Sequence, residues 1–128
     1  MPIVFVNCDL FPFVAWIMSG LKLYETRNRN TLKSLINKPV YIAETHKGKR
    51  PVIRCILTIG DPITIDKLTE YNQYRKAACI KRKSAYDFVP GKKKVLYPLY
   101  NVQAIAPFVP CKGKRHGMTW MEYNGKEK

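Results

Sequence analysis

Hydrophobic positions along the chain change period several times, and each change marks an element. Ile3 to Val6 is a short run rich in β-branched residues and predicts a strand. From Phe11 the period becomes helical. Phe13, Trp16 and Ile17 fall at i, i+3 and i+4, Pro12 opens the segment and Gly20 follows its end. Val14, Ala15 and Met18 fill the other sides, so this helix is expected to be largely buried. Leu21 to Arg27 follows the glycine directly. In an extended chain Leu23, Glu25 and Arg27 share one face, which allows Glu25 and Arg27 to pair.

Beyond this seam the polar stretch Asn28 to Asn37 reads as a loop or a short helical turn, and Val40 to Ala43 as the next strand. Thr45 to Pro51 is a basic turn containing Gly48. Val52 to Ile59 is a strand of strong β propensity, stopped by Gly60-Asp61-Pro62. Asp66 is placed to cap a second helix, in which Leu68, Tyr71, Ala78 and Cys79 recur at helical spacing. Arg82 to Lys94 reads as a long flap. Tyr97 to Ala106 resumes strand character, Phe108 to Lys114 turns, and Gly117 to Tyr123 is a candidate closing strand. Five or six strands with two main helices predict an α+β fold, a small barrel. No repeat or linker divides residues 1–123, and Asn124 to Lys128 reads as a disordered tail.

Charge changes this picture. Lys and Arg number 23 against 9 Asp and Glu, a formal net charge of +14 at pH 7. Polyanions are the expected partners, because phosphate contacts from Lys and Arg supply most sequence-independent nucleic-acid affinity. A membrane surface would also call for an amphipathic anchor, and none is evident. Met1 to Gly20 is apolar, but it lacks a basic leading region and carries Asn7, Asp9 and Pro12. Cys8, Cys55, Cys79 and Cys111 are scattered, with no C-x-x-C pair and no His at ligand spacing. Reduced thiols in a cytoplasmic protein, with no metal and no cofactor, are expected.

The candidate chemistry lies at the helix exit, where Lys22, Glu25 and Arg27 stand beside an apolar helix end. Charges there are costly unless they pair or meet a ligand, so the cluster is either an internal ion-pair network or the wall of a pocket. Gly20-x-Lys22-x-x-Glu25-x-Arg27, after an apolar helix bearing Trp16, resembles the signature of the ASCH domain, a member of the PUA-like superfamily. Val40 to His46 is similar to the family's second strand, and Gly113 to Trp120 to its closing glycine and aromatic strand.

The resemblance implies a PUA-like barrel with a cleft beside the first helix that binds RNA or a modified nucleoside. Lys22, Glu25, Arg27, Trp16 and His46 are its candidate ligand contacts. Lys22 would touch phosphate or a base carbonyl, or act as nucleophile or base after losing its proton. One branch of similar proteins hydrolyses acetylcytidine with the signature lysine, a threonine three residues later and a separate glutamate, so Lys22 and Glu25 would be catalytic in an amidohydrolase. Here the threonine position is Glu25 and Thr26 is its neighbour, a departure that weakens the enzyme reading. Glu44 and Glu70 are the other candidate acids, and His116 reads as part of a basic loop.

A basic surface completes the expectation. Arg75, Lys76, Lys81, Arg82, Lys83, Lys92, Lys93, Lys94, Lys112, Lys114 and Arg115 stand against a single acid, Asp87, between Tyr71 and Arg115. Tyr71, Tyr74, Tyr86, Phe88, Tyr97 and Tyr100 are interleaved. Such a mixture suits RNA, single-stranded or structured, with DNA as a further possibility. Tyr97 and Tyr100, as strand residues, are expected to be packed rather than displayed.

Overall fold

In a computed structural model, which describes residues 1–111 and 119–123 and the backbone of 115 and 116, the strand expected at Ile3–Val6 lies inside a curled sheet. This strand, β1 (Pro2–Asn7), pairs in parallel with β3 (Pro39–Thr45) and antiparallel with β8 (Trp120–Glu122). Its continuous apolar run has a structural cause, since both faces are covered. Val4 and Val6 enter the main core, whereas Ile3 and Phe5 pack on a second cluster with Ala43, Ile53 and Met121.

The remaining elements are α1 (Phe13–Met18), β2 (Tyr24–Arg27), a 3₁₀ turn (Lys33–Leu35), β4 (Val52–Ile59), β5 (Ile63–Ile65), α2 (Leu68–Ala78), β6 (Lys94–Phe108) and β7 (Arg115–His116). The sheet order is β2-β6-β4-β3-β1-β8-β7, with β5 also on β6. Among the described residues eight strands form, of which β5, β7 and β8 are only two or three residues long. Five longer strands and two α-helices make the small α+β barrel that the pattern predicts. No helix among the described residues is long and apolar enough to cross a membrane.

β6 organises the sheet. Its beginning pairs with both β2 and β5, placing Glu25 opposite Tyr97, Arg27 opposite Val95 and Ile65 opposite Lys94. Its later part pairs with β4 alone. Burial follows the partners: Lys94 to Tyr97 are buried and Tyr100 to Ala104 are exposed. Tyr97 is therefore packed as expected, but Tyr100 is displayed, because no strand continues β2 alongside it. The ladder is irregular there, with Asn101 at φ 53° and a register shift between Ile56 and Thr58.

Two element starts differ from the sequence pattern. Gly20 does leave the helix with φ +83°, but the amides of Leu21 and Lys22 both donate back to the Trp16 carbonyl, and Leu23 donates to the Ala77 carbonyl of α2. These bonds turn the amides of residues 21–23 away from the sheet, and although the Leu23 carbonyl accepts from the Leu99 amide of β6, β2 begins at Tyr24 rather than Leu21. Asp66 does not cap α2. The N-cap is Lys67, whose side chain makes no capping bond, and packing of Tyr71 and Ala78 holds the helix instead. Leu68, expected on the apolar stripe, is exposed. At the far end Cys79 adopts the left-handed conformation, at φ 56°. Cys8 and Cys55 are buried thiols, as read from the sequence.

Candidate functional site

A cleft of about 720 Å³ opens where the end of β1, the strand β2, the turn after β3 and the loop before β6 meet. Its inner wall is charged. Arg27 reaches from β2 across to β1, its Nη2 donating to the Phe5 carbonyl at 2.8 Å and to Glu25 Oε2 at 2.9 Å. Arg27 Nε is enclosed with no hydrogen-bond partner. Lys22 sits one layer behind, with no exposed side-chain surface. Its Nζ donates to the Ala78 carbonyl at 2.5 Å, lies 3.9 Å from Glu25 Oε1 and stands 4.5 Å over the Phe13 ring. Burial pushes its ammonium below the ordinary lysine value, and Glu25 opposes that shift.

The outer wall comes from two turns. His46 follows β3, with Nε2 donating to Glu44 Oε2 at 2.9 Å and Nδ1 3.7 Å from Asp9 Oδ1. Asp9 accepts the Lys47 amide at 2.9 Å, and this bond, with a side-chain bond from Asn7, holds its carboxyl below the ordinary carboxylate range. Opposite, the loop before β6 contributes Ala85 and Tyr86. Tyr86 packs edge-on against Phe13, centroids 5.1 Å apart, and burial raises its phenol above the ordinary value.

That loop, read from the sequence as a flap, is anchored at consecutive residues. Asp87 accepts an Arg75 guanidinium hydrogen and the amides of Lys83 and Phe88, while Phe88 is buried against Tyr71 with centroids 5.3 Å apart. Burial works to raise the Asp87 carboxyl, but those three hydrogen bonds outweigh it and hold the group below its usual value.

Solved structures share this architecture. The ASCH protein of Zymomonas mobilis aligns at TM-score 0.67 and 21% identity, covering 84% of this chain and 72% of that one. A serine-to-alanine variant of the same protein gives 0.67 at 22% identity, with 84% and 72% covered. Its tyrosine-to-phenylalanine variant gives 0.66 at 22%, with 84% and 74% covered. The chain has the ASCH fold. By sequence, no family model and no curated protein matches it.

In this ASCH fold the signature residues separate. Glu25 and Arg27 line the cleft, joined by His46, whereas Lys22 and Trp16 do not. Trp16 is half-buried against Phe11 and Phe13. Glu44 stands behind His46, and Arg54 Nε approaches its Oε1 at 3.8 Å. Thr26 also borders the cleft, although strand alternation alone would turn it away from Glu25; β2 is the sheet's terminal strand, and the cleft runs along its unpaired side.

Of the basic residues, Lys76, Lys81, Arg82, Lys83, Lys92 and Lys93 are exposed, and Arg75 is taken up by Asp87. Lys94 is different. It lines the cleft and is buried, its Nζ donating to Asn28 Oδ1 at 2.7 Å. Lys112, Lys114 and the side chains of Arg115 and His116 lie outside the described residues, as do Gly113, Gly117 and the tail 124–128.

Sequence reasoning missed Asp9, Asn28, Lys47 and Lys49 as cleft residues. Asn28 directly follows the signature arginine, and Asp9 follows β1, so adjacency to the motif's own elements was the available signal. Among the described residues no group of three His, Cys, Asp or Glu is placed to hold a metal ion.

Proposed function

We propose that this protein binds RNA, and that the cleft takes a single unstacked nucleotide while the exposed lysines outside it follow the phosphate backbone. One observation carries the reading. A cleft of nucleotide size has the Glu25–Arg27 pair on its inner wall and the aromatic Tyr86 on its outer one, and Lys47 and Lys49 line it too. The loop that supplies Tyr86 begins with the exposed Lys81, Arg82 and Lys83, so backbone and base contacts would come from one continuous segment.

Fluorescence anisotropy with a labelled single-stranded RNA tests this. Affinity should fall steeply as salt rises, with a log–log slope of roughly −0.7 per phosphate contacted, and should drop in Lys47→Glu/Lys49→Glu. Weak binding that is unchanged across the salt range would overturn the proposal. DNA of the same sequence is the control for a 2′-hydroxyl preference.

The amidohydrolase alternative finds less support. It needs Lys22 Nζ at the substrate, and that nitrogen has no exposed surface and is committed to the Ala78 carbonyl. Release of cytidine from an acylated cytidine, lost in Lys22→Ala, would restore it.

A further inference from the structure

Three consecutive lysines, Lys92, Lys93 and Lys94, have different fates. The first two are exposed and Lys94 retains only 6% of its surface. As the first residue of β6 it stands next to Val95, the ladder partner of Arg27, and opposite Ile65 of β5. Two strands therefore flank it, and its side chain is enclosed at the cleft wall. Its hydrogen-bond partner is a neutral amide oxygen, Asn28 Oδ1. Among the described residues no carboxylate lies within ion-pair distance of its Nζ. A buried ammonium is ordinarily paired, because a neutral acceptor compensates little of the lost hydration.

Arg27 is short of acceptors as well. Nη2 serves both Phe5 and Glu25, while Nε has no partner. Among the residues that line the cleft, Arg27, Lys47, Lys49 and Lys94 are cations and Asp9 and Glu25 are anions, an excess of two positive charges. Asp87 acts on Lys94 only from beyond ion-pair distance. An incoming anion would find on this wall a preformed cationic edge and, in Arg27, a guanidinium short of acceptors.

The geometry points to an anion subsite, built from Lys94 and Arg27 and oriented by Asn28, that takes a phosphoryl group of the bound nucleotide. This inference rests on reading the cleft as a nucleotide site and gives that reading a chemical direction. The ligand is a phosphorylated nucleotide rather than a free nucleoside. Lys94 is a binding residue of the cleft rather than of the outer basic face. Asn28 is a positioning residue that keeps the ammonium on the wall.

Isothermal titration at low salt into the whole chain tests it, with inorganic phosphate, cytidine, cytidine monophosphate, and hexamer RNAs carrying either a 5′-phosphate or a 5′-hydroxyl as probes. The monophosphate should bind about tenfold or more tightly than cytidine, as one charge-assisted contact provides. Lys94→Met should reduce that ratio to near one with the circular dichroism spectrum unchanged, Lys94→Arg should keep most of it, and Asn28→Ala, at an exposed position, should lower it in part. A preference for the 5′-phosphorylated hexamer assigns the phosphoryl group to a strand end, and equal binding with Lys94 dependence assigns it to an internal phosphodiester. Both outcomes support the subsite.

Equal affinity for cytidine and its monophosphate, or a ratio that survives Lys94→Met, would overturn the subsite and leave the nucleotide cleft standing. Phosphate binding as tightly as the monophosphate, and depending on Lys94, would support the subsite and overturn the nucleotide reading. No binding of any probe would overturn both.

Discussion

Two buried lysines sit on either side of the same wall, and they are held in different ways. Lys22 is closed off behind α1, with a carboxylate at 3.9 Å and a backbone carbonyl at 2.5 Å. Lys94 lines an open cleft with one amide oxygen for company. The first has a carboxylate within ion-pair distance and the second, among the described residues, has none. Burial alone does not separate the two lysines; access to the cleft and the distance to a carboxylate do.

The comparison can be broken at four points, from the largest effect to the smallest. Glu25→Gln leaves Lys22 and Arg27 without a carboxylate, and should cost about 3–5 kcal/mol of stability in urea denaturation. Lys22→Met keeps the Glu25–Arg27 pair and orphans the Ala78 carbonyl, so a smaller loss of about 1–3 kcal/mol is expected from the same measurement. Lys94→Met removes a buried cation and orphans no carboxylate. Its stability should stay within about 1 kcal/mol of the parent, in either direction. If Lys94→Met costs as much as Lys22→Met, the two sites are not different in kind.

The fourth test is the alkaline limb of stability. Burial lowers the proton affinity of both lysines, with Glu25 opposing the shift at Lys22 and Asp87 at Lys94. The unfolded chain thus holds these protons more tightly than the folded one. Stability should rise with pH toward the ordinary lysine value of 10.5 and gain nothing further beyond it. Burial pushes the Cys55 thiol up to about 11 and the Tyr71 phenol up to about 12, so these groups lose stability as pH climbs past 9 and 10. The useful quantity is the difference between parent and Lys94→Met across pH 7 to 10.5, which should grow in the parent's favour as pH increases. A flat difference would mean that Lys94 keeps its ordinary affinity for its proton.

How much of this was legible in the sequence depended on whether a residue's environment is set locally. The strand Val52–Ile59 and the glycine exit of α1 follow from period and turn chemistry, and both stand as read. The resemblance carried by Gly20-x-Lys22-x-x-Glu25-x-Arg27 indicated both the fold and the seam where the cleft lies. It did not separate Lys22 from the cleft, because that depends on α2 presenting the Ala78 carbonyl from 56 residues away. The late start of β2 has the same origin, in the bond from Leu23 to Ala77. Nor does anything in Lys92-Lys93-Lys94 distinguish its last member. Only the pairing of β6 with both β2 and β5 encloses that residue. Tyr100 and Tyr97 look alike in sequence and differ because one lies beyond the end of β2.

The bond from Arg27 to the Phe5 carbonyl has a mechanical meaning. β1 and β2 exchange no ladder, since β2 pairs with β6 and β1 with β3 and β8. Where a closed barrel would have a row of rungs, the Arg27 side chain spans the gap as a strut. The width of the opening is thus gauged by the reach of that arginine. A substitution that shortens or lengthens that strut would retune the aperture while leaving every strand in register.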